Sequence, residues 1–270
     1  MASGSSVLTE LREVEGVPRA AGMLTLNRPD RLNAIDWEMV RSLGRALDEL
    51  LEQSPRTILI TGAGRAFSAG GDLKKYVELY SDAAAFPKFL EELHNVFGRL
   101  GELPVPVVAL VNGVTAAGGL ELLLNCDLAF ASASARIGDG HLNFGQMGGG
   151  GVLTLLPRKI GLQRASELIY SGRFLTADEA LTWGIVCRVV PDDELLKAGL
   201  EFAGQVAVKS PLGVANAKHV LNSLWRENAS LEAGLALERE RNAYYCLTSE
   251  DAQEGLKAFA EKRKPRFTGR

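Results

Sequence analysis

Glu121 is the one charge in a run of four leucines, and it stands two residues after a glycine pair, Gly118-Gly119. A first-turn glutamate can simply complement the helix dipole. Aimed into a cavity, the same carboxylate is desolvated, its pKa rises and it becomes a candidate base. The glycine pair leaves helix-entry N–H groups unpaired and open to close approach, a setting that can hold a negative oxygen. Residues 62–72 (GAGRAFSAGGD) repeat the plan of strand, small-residue loop, paired glycines, acid and helix. Two such loops at adjacent strand ends would bring two backbone N–H groups together, the geometry of an oxyanion hole. A third glycine-rich stretch, residues 139–151, carries His141, one of only three histidines. His141 reads either as a satisfied histidine bonding nearby backbone or as an acid/base group oriented by Asp139.

The elements that must position these residues follow from periodicity and punctuation. Residues 22–27 read as a strand, and Asp36 caps an amphipathic helix to about residue 53, with Met39, Leu43, Leu47 and Leu50 at helical spacing. Residues 56–61 and 107–111 read as buried strands, residues 73–80 and 83–100 as helices, and residues 120–126 as the helix bearing Glu121. Short strands are expected at 127–131 and 135–138, then a helix to about residue 160. Thr176 with Glu179 forms a capping box for a helix ending at Trp183-Gly184, and residues 185–190 return as a strand. From about residue 192 the pattern is helical to Lys264, so an α/β core precedes a helical C-terminal region.

Whole-chain numbers exclude several classes. A chain of 270 residues with 46% apolar and 23% charged residues has the make-up of a soluble globular protein. It contains no apolar stretch of about 18 residues, so no membrane partner is expected. The net charge of −3 gives nucleic acid no global attraction. Residues 1–6 lack the plan of a secretory leader and read as a flexible tip. Cys126, Cys187 and Cys246 are odd in number and lack metal-ligand spacing, which points to buried thiols in a reducing, cytoplasmic setting. The glycines of residues 62–72 fit neither the phosphate-loop nor the dinucleotide spacing, which disfavours a Rossmann oxidoreductase.

Several motifs together carry a resemblance. Residues 26–29 (LNRP) with 32–34 (LNA), 60–73, 111–121, 180–190, 249–259 and 262–265 (KRKP) are similar, in this order, to the crotonase (enoyl-CoA hydratase/isomerase) superfamily. The resemblance implies an α/β spiral of ββα repeats over residues 21–206, after an N-terminal tip and first strand (1–20). It also implies a helical region (207–270) that builds homotrimers or dimers of trimers. Acyl-CoA thioesters would be the substrates, with no metal or redox cofactor, coenzyme A being part of the substrate. By motif position the oxyanion donors would be the N–H groups of Gly71 and Gly118. Arg31, Leu32, Ala34, Ala69, Gly71, Asp72, Leu73, Lys74 and Gly118 would lie along the substrate and its CoA arm.

Two glutamates share the acid/base work in hydratases of this superfamily. Glu121 matches the first, but His141 falls where the second is expected. The usual PGAGG that follows is here MGGGG (147–151). The leading reading is an acyl-CoA lyase that adds water to an enoyl-CoA with Glu121 and His141 as the acid/base pair; hydrolysis of a β-dicarbonyl compound or thioester is the runner-up, and double-bond isomerisation by Glu121 alone comes third. A non-catalytic CoA-binding role is the alternative from another class. The acyl pocket is expected beyond Lys74, with Tyr244 and Tyr245 either lining it or packing between helices or subunits.

Overall fold

Three five-residue strands, β3 (Ile58–Gly62), β5 (Val107–Val111) and β7 (Leu128–Ser132), are apolar almost throughout. They lie side by side in parallel and buried, as strands covered on both faces must be. The structure, a computed structural model, describes residues 5–14 and 17–270. A hairpin of β1 (Val7–Val14) and β2 (Val17–Leu26) and the short β10 (Arg188–Val190) complete a six-stranded sheet in the order β1-β2-β3-β5-β7-β10. The tip expected at residues 1–6 falls mostly outside the described residues.

Each central strand is followed within a few residues by a second, three-residue strand: β4 (Ala66–Ser68), β6 (Val114–Ala116) and β8 (Arg136–Gly138). These leave the large sheet and pair with one another, and with β9 (Phe174–Thr176), in a four-stranded sheet ordered β4-β6-β8-β9. A helix then follows each pair: α2 (Leu73–Tyr80) with α3 (Ala85–Glu102), α4 (Gly118–Asn125), and α5 (Val152–Ile160). This is the expected α/β spiral of ββα turns. Because β3 and β5 are neighbours, the loops leaving them open side by side.

Local signals explain most boundaries. The Asp36 side chain accepts from Met39 N–H at 2.9 Å and starts α1 (Trp37–Glu52), whose Met39, Val40, Leu43, Leu47 and Leu50 enter the main core. The Thr176–Glu179 capping box starts α7 (Ala177–Trp183), which stops at left-handed Gly184. The helix α8 (Leu195–Ala207) covers the other face of the large sheet, packing Leu195, Ala198 and Ala203 on Met23, Leu59, Val108 and Phe130. Beyond it run α9 (Pro211–Trp225), α10 (Leu231–Thr248) and α11 (Glu250–Ala260). Lys218 of α9 is buried, pairs with Asp127 at 2.7 Å and donates to Leu100 O and Val105 O, tying α9 to the core.

Some expectations need correction. The strand expected at 22–27 is longer at its start and has β1 as an antiparallel partner. The strand expected at 185–190 is only β10, because Ile185 and Val186 are still bonded to Ala180 O of the preceding helix. The strands β4, β6 and β9 and the helix α6 (Leu162–Ser171) were not separated from loop and helix by the sequence pattern, whereas the strand expected at 135–138 is β8. Of the three thiols, only Cys126 is buried; Cys187 and Cys246 are exposed, and all are unpaired.

Candidate active site

Glu121 sits one turn into α4 with its side chain buried. Its Oε1 accepts N–H bonds from Gly150 at 2.7 Å and Val152 at 3.3 Å, so the glycine tract before α5 wraps the carboxylate. A Cβ at Gly150 would lie 2.7 Å from Oε2, and one at Gly148 would lie 3.0 Å from Oε1. Glycine is therefore required on this side of the site. Burial raises the carboxyl's pKa above its usual range, against the pull of His141 and of the two N–H donors. The carboxylate is thus held by two backbone donors on one oxygen.

The N-cap of α4 is Ala117, with φ of 46° and ψ of −118°, a region that side chains rarely occupy. Such a residue costs about 1–3 kcal/mol and persists only where its surroundings impose it. Here its N–H donates to Asp139 O at 2.6 Å. The turn presents the N–H of Gly118 at the first helical position. Across from it, Gly70 and Asp72 bond to Ile35, fixing the backbone around Gly71. Neither the Gly71 N–H nor the Gly118 N–H has an acceptor among the described residues. A Cβ on Gly118 would lie 3.7 Å from Gly71 N, so the two groups are neighbours.

His141 opens a short 3-10 turn after β8, and its Nδ1 lies 2.8 Å from Asp139 Oδ1. Asp139 thus does two jobs, its carbonyl fixing Ala117 and its buried carboxylate orienting the imidazole. Burial lowers the pKa of His141, but the bond to Asp139 and the charge of Glu121 outweigh it, so the net direction is upward. A Cβ at Gly148 would lie 3.0 Å from Glu121 Oε1 and 3.5 Å from His141 Cε1. The carboxylate and the imidazole therefore both stand close to Gly148.

Both groups, with Gly71 and Ala117, line a cavity of about 360 Å³ whose remaining wall is aromatic and aliphatic, chiefly Tyr76, Phe86, Leu90, Phe144 and Phe174. An enclosed apolar pocket with a few converging polar groups is the usual form of a small-molecule site. The sequence pattern that defines the enoyl-CoA hydratase/isomerase family matches residues 17–270. The chain belongs to this family, within the crotonase superfamily. It is 36% identical over 259 residues to the 1,2-epoxyphenylacetyl-CoA isomerase of Escherichia coli K12, covering 94% of this chain and 97% of that protein. It is also 36% identical over 249 residues to the 2,3-dehydroadipyl-CoA hydratase of the same organism, covering 92% and 95%. Among solved structures, an enoyl-CoA hydratase of Bacillus anthracis superposes with a TM-score of 0.90 at 31% identity, over 98% of this chain and all of that one. Equal identity to an isomerase and a hydratase leaves the choice of reaction to the site itself.

In this crotonase-type enzyme the residues singled out from sequence divide into two groups. Ala69, Gly71, Leu73, Glu121 and His141 line the one cavity, with Gly118 beside Gly71. Arg31, Leu32 and Ala34 run alongside, tethered by Leu32 O to Ala69 N–H at 2.9 Å, and Lys74 is exposed at the start of α2. The buried carboxylate of Asp72 is taken up by Arg28 at 2.9 Å and Arg31 at 3.1 Å and braces the loop. Tyr244 and Tyr245 line a separate cavity against α3 and α9, with Leu212 and His219. Sequence reasoning missed the backbone donors of Gly150 and Val152 and the phenol of Tyr76. The glycine count at 148–151 was a signal for the first; nothing in local pattern marked the second.

Proposed function

We propose that this member of the family adds water across the double bond of a 2-enoyl-CoA thioester. The observation that carries the reading is that Glu121 and the Asp139-oriented His141 line one cavity with Gly71, whose N–H, like that of neighbouring Gly118, has no acceptor among the described residues. The thioester oxygen binds to the N–H groups of Gly71 and Gly118, which stabilise the negative charge that grows there; each such donor is worth about 10²–10³ in rate. Glu121 takes a proton from water as its oxygen adds to C3, and the imidazolium of His141 gives a proton to C2. The water thus supplies hydroxyl and proton in balance, and one proton passes back from Glu121 to His141 between turnovers. The raised pKa of His141 supports its acting as the acid near neutral pH.

Coenzyme A enters as part of the substrate, along Ala69 to Lys74 and the Arg31, Leu32 and Ala34 segment; no metal or redox cofactor is needed for these steps. A core to about residue 206 and an assembly region from 207 to 270 complete the reading. Exposed Leu231, Leu247, Leu256 and Phe259 on α10 and α11, the last 85% accessible, support a homotrimer or a dimer of trimers. No described helix is long and apolar enough to cross a membrane, and the unpaired thiols fit a reducing cytoplasm. The negative net charge supports small-molecule rather than nucleic-acid partners. The test is a panel of enoyl-, 3-hydroxyacyl- and 3-oxoacyl-CoA thioesters with products identified by mass. Hydration adds one water to the enoyl thioester without releasing CoA. Free CoA would instead support the hydrolase, and a product of unchanged mass the isomerase.

A further inference from the structure

Tyr76, the fourth residue of α2, is held among three other rings, those of Tyr80, Phe86 and Phe89. It packs edge to face on Phe89 at 5.4 Å and on Phe86 at 6.2 Å between centroids, and Phe89 is fully buried. The hydroxyl end of the ring stands against the backbone of Gly71, where a Cβ would lie 2.6 Å from Cζ and 2.8 Å from the phenolic oxygen. Tyr76, Gly71 and Glu121 all line the same cavity. Yet the Tyr76 hydroxyl makes no hydrogen bond with any described residue, whereas Tyr80, one turn on, pairs with Gln146. Lining the cavity with no protein acceptor, the hydroxyl is free to donate to a ligand oxygen. Burial, then the nearby charge of Glu121, holds the phenol above its ordinary pKa range, so it remains a donor across the working pH.

We propose that the Tyr76 hydroxyl is a third donor to the acyl-thioester carbonyl oxygen, beside the N–H of Gly71; this rests on the acyl-CoA reading above. The phenolic oxygen stands 2.8 Å from the Cβ position of Gly71, the residue whose amide is free, and both residues line the same cavity. The arrangement also gives Gly71 a second reason to be glycine, since any side chain there would displace the phenol.

Tyr76→Phe keeps the ring and its packing and removes only the donor, so its melting temperature should match the wild type. Two probes then separate the possibilities: butyryl-CoA, and its thioether counterpart S-butyl-CoA, which lacks the carbonyl oxygen. Calorimetric affinity for butyryl-CoA should fall about 3- to 10-fold, the worth of one neutral hydrogen bond, with that for S-butyl-CoA unchanged. In turnover of an enoyl-CoA, kcat should fall at least as far, because charge on the oxygen grows in the transition state. Equal weakening of both probes would place the phenol elsewhere on the ligand and overturn the assignment, as would no change in either. If the wild-type protein bound neither probe, the acyl-CoA reading itself would fall and this proposal with it.

Discussion

Replacing Glu121 by glutamine separates its chemistry from its place in the fold. Both backbone bonds, from Gly150 at 2.7 Å and Val152 at 3.3 Å, end on Oε1, and the carbonyl oxygen of a glutamine amide can accept both. The amide nitrogen then takes the position of Oε2, a change of no volume. A positioned base contributes about 10²–10⁴ in rate, so kcat should fall at least about 10²-fold, or about 2.7 kcal/mol of barrier, with KM little changed. Stability should move the other way. The folded pKa of Glu121 is raised by burial, so its favourable contribution is complete below the unfolded value of 4.5 and is lost as pH rises through the folded value. Glu121→Gln has no such loss, and its advantage in melting temperature over the wild type should grow from pH 4 toward neutrality. Initial hydration rates and a thermal-melt series across pH measure both halves. A folded glutamine variant with wild-type kcat would return Glu121 to a helix-dipole role. A variant that melts well below the wild type at neutral pH would refute the desolvation argument.

His141→Gln should lower kcat about 10²-fold or more and remove the alkaline limb of the rate profile, which in the wild type lies above 6.5 because the imidazole's pKa is raised. The acid limb, set by Glu121 above 4.5, should remain. A normal rate with an unchanged profile would leave Glu121 as sole base and move isomerisation ahead of hydration. Gly150→Ala would drive a Cβ to 2.7 Å from Glu121 Oε2, so it should abolish turnover and cost about 1–3 kcal/mol in stability, read by chemical denaturation. Wild-type turnover in Gly150→Ala would mean that the carboxylate can stand elsewhere and still work.

The long elements were legible because their signals are local. Asp36 and Thr176 use their own side chains as caps, and α1 shows its core face at helical spacing, so sequence alone locates them. Of the second sheet only β8 was legible, as the short strand expected at 135–138. The other three strands, β4, β6 and β9, are three residues long, too short for alternation to register, and only their partners in the spiral make them strands. The site divides the same way. Glu121 stood out as a charge among leucines, and the paired glycines marked both turns that present free N–H groups. What holds Glu121, however, comes from residues 29 and 31 positions away in the chain, and such tertiary bonds leave no local trace. The role of Asp72's side chain was hidden for the same reason. An acid after paired glycines looks alike in both loops, and only the approach of Arg28 and Arg31 makes one of them a brace.

The turn at Ala117 bears on how such a site is found and altered. Alanine scanning removes side chains, and the paired N–H groups at Gly71 and Gly118 have none to remove, so a scan of this protein passes over them. Exchange of either amide for an ester, by chemical synthesis or ligation of the backbone, deletes one donor and leaves every side chain in place. The same property makes the cradle durable during evolution. Residues above it, such as His141, can be exchanged freely while the turn keeps its shape, so a descendant changes its reaction without first losing its grip on the substrate.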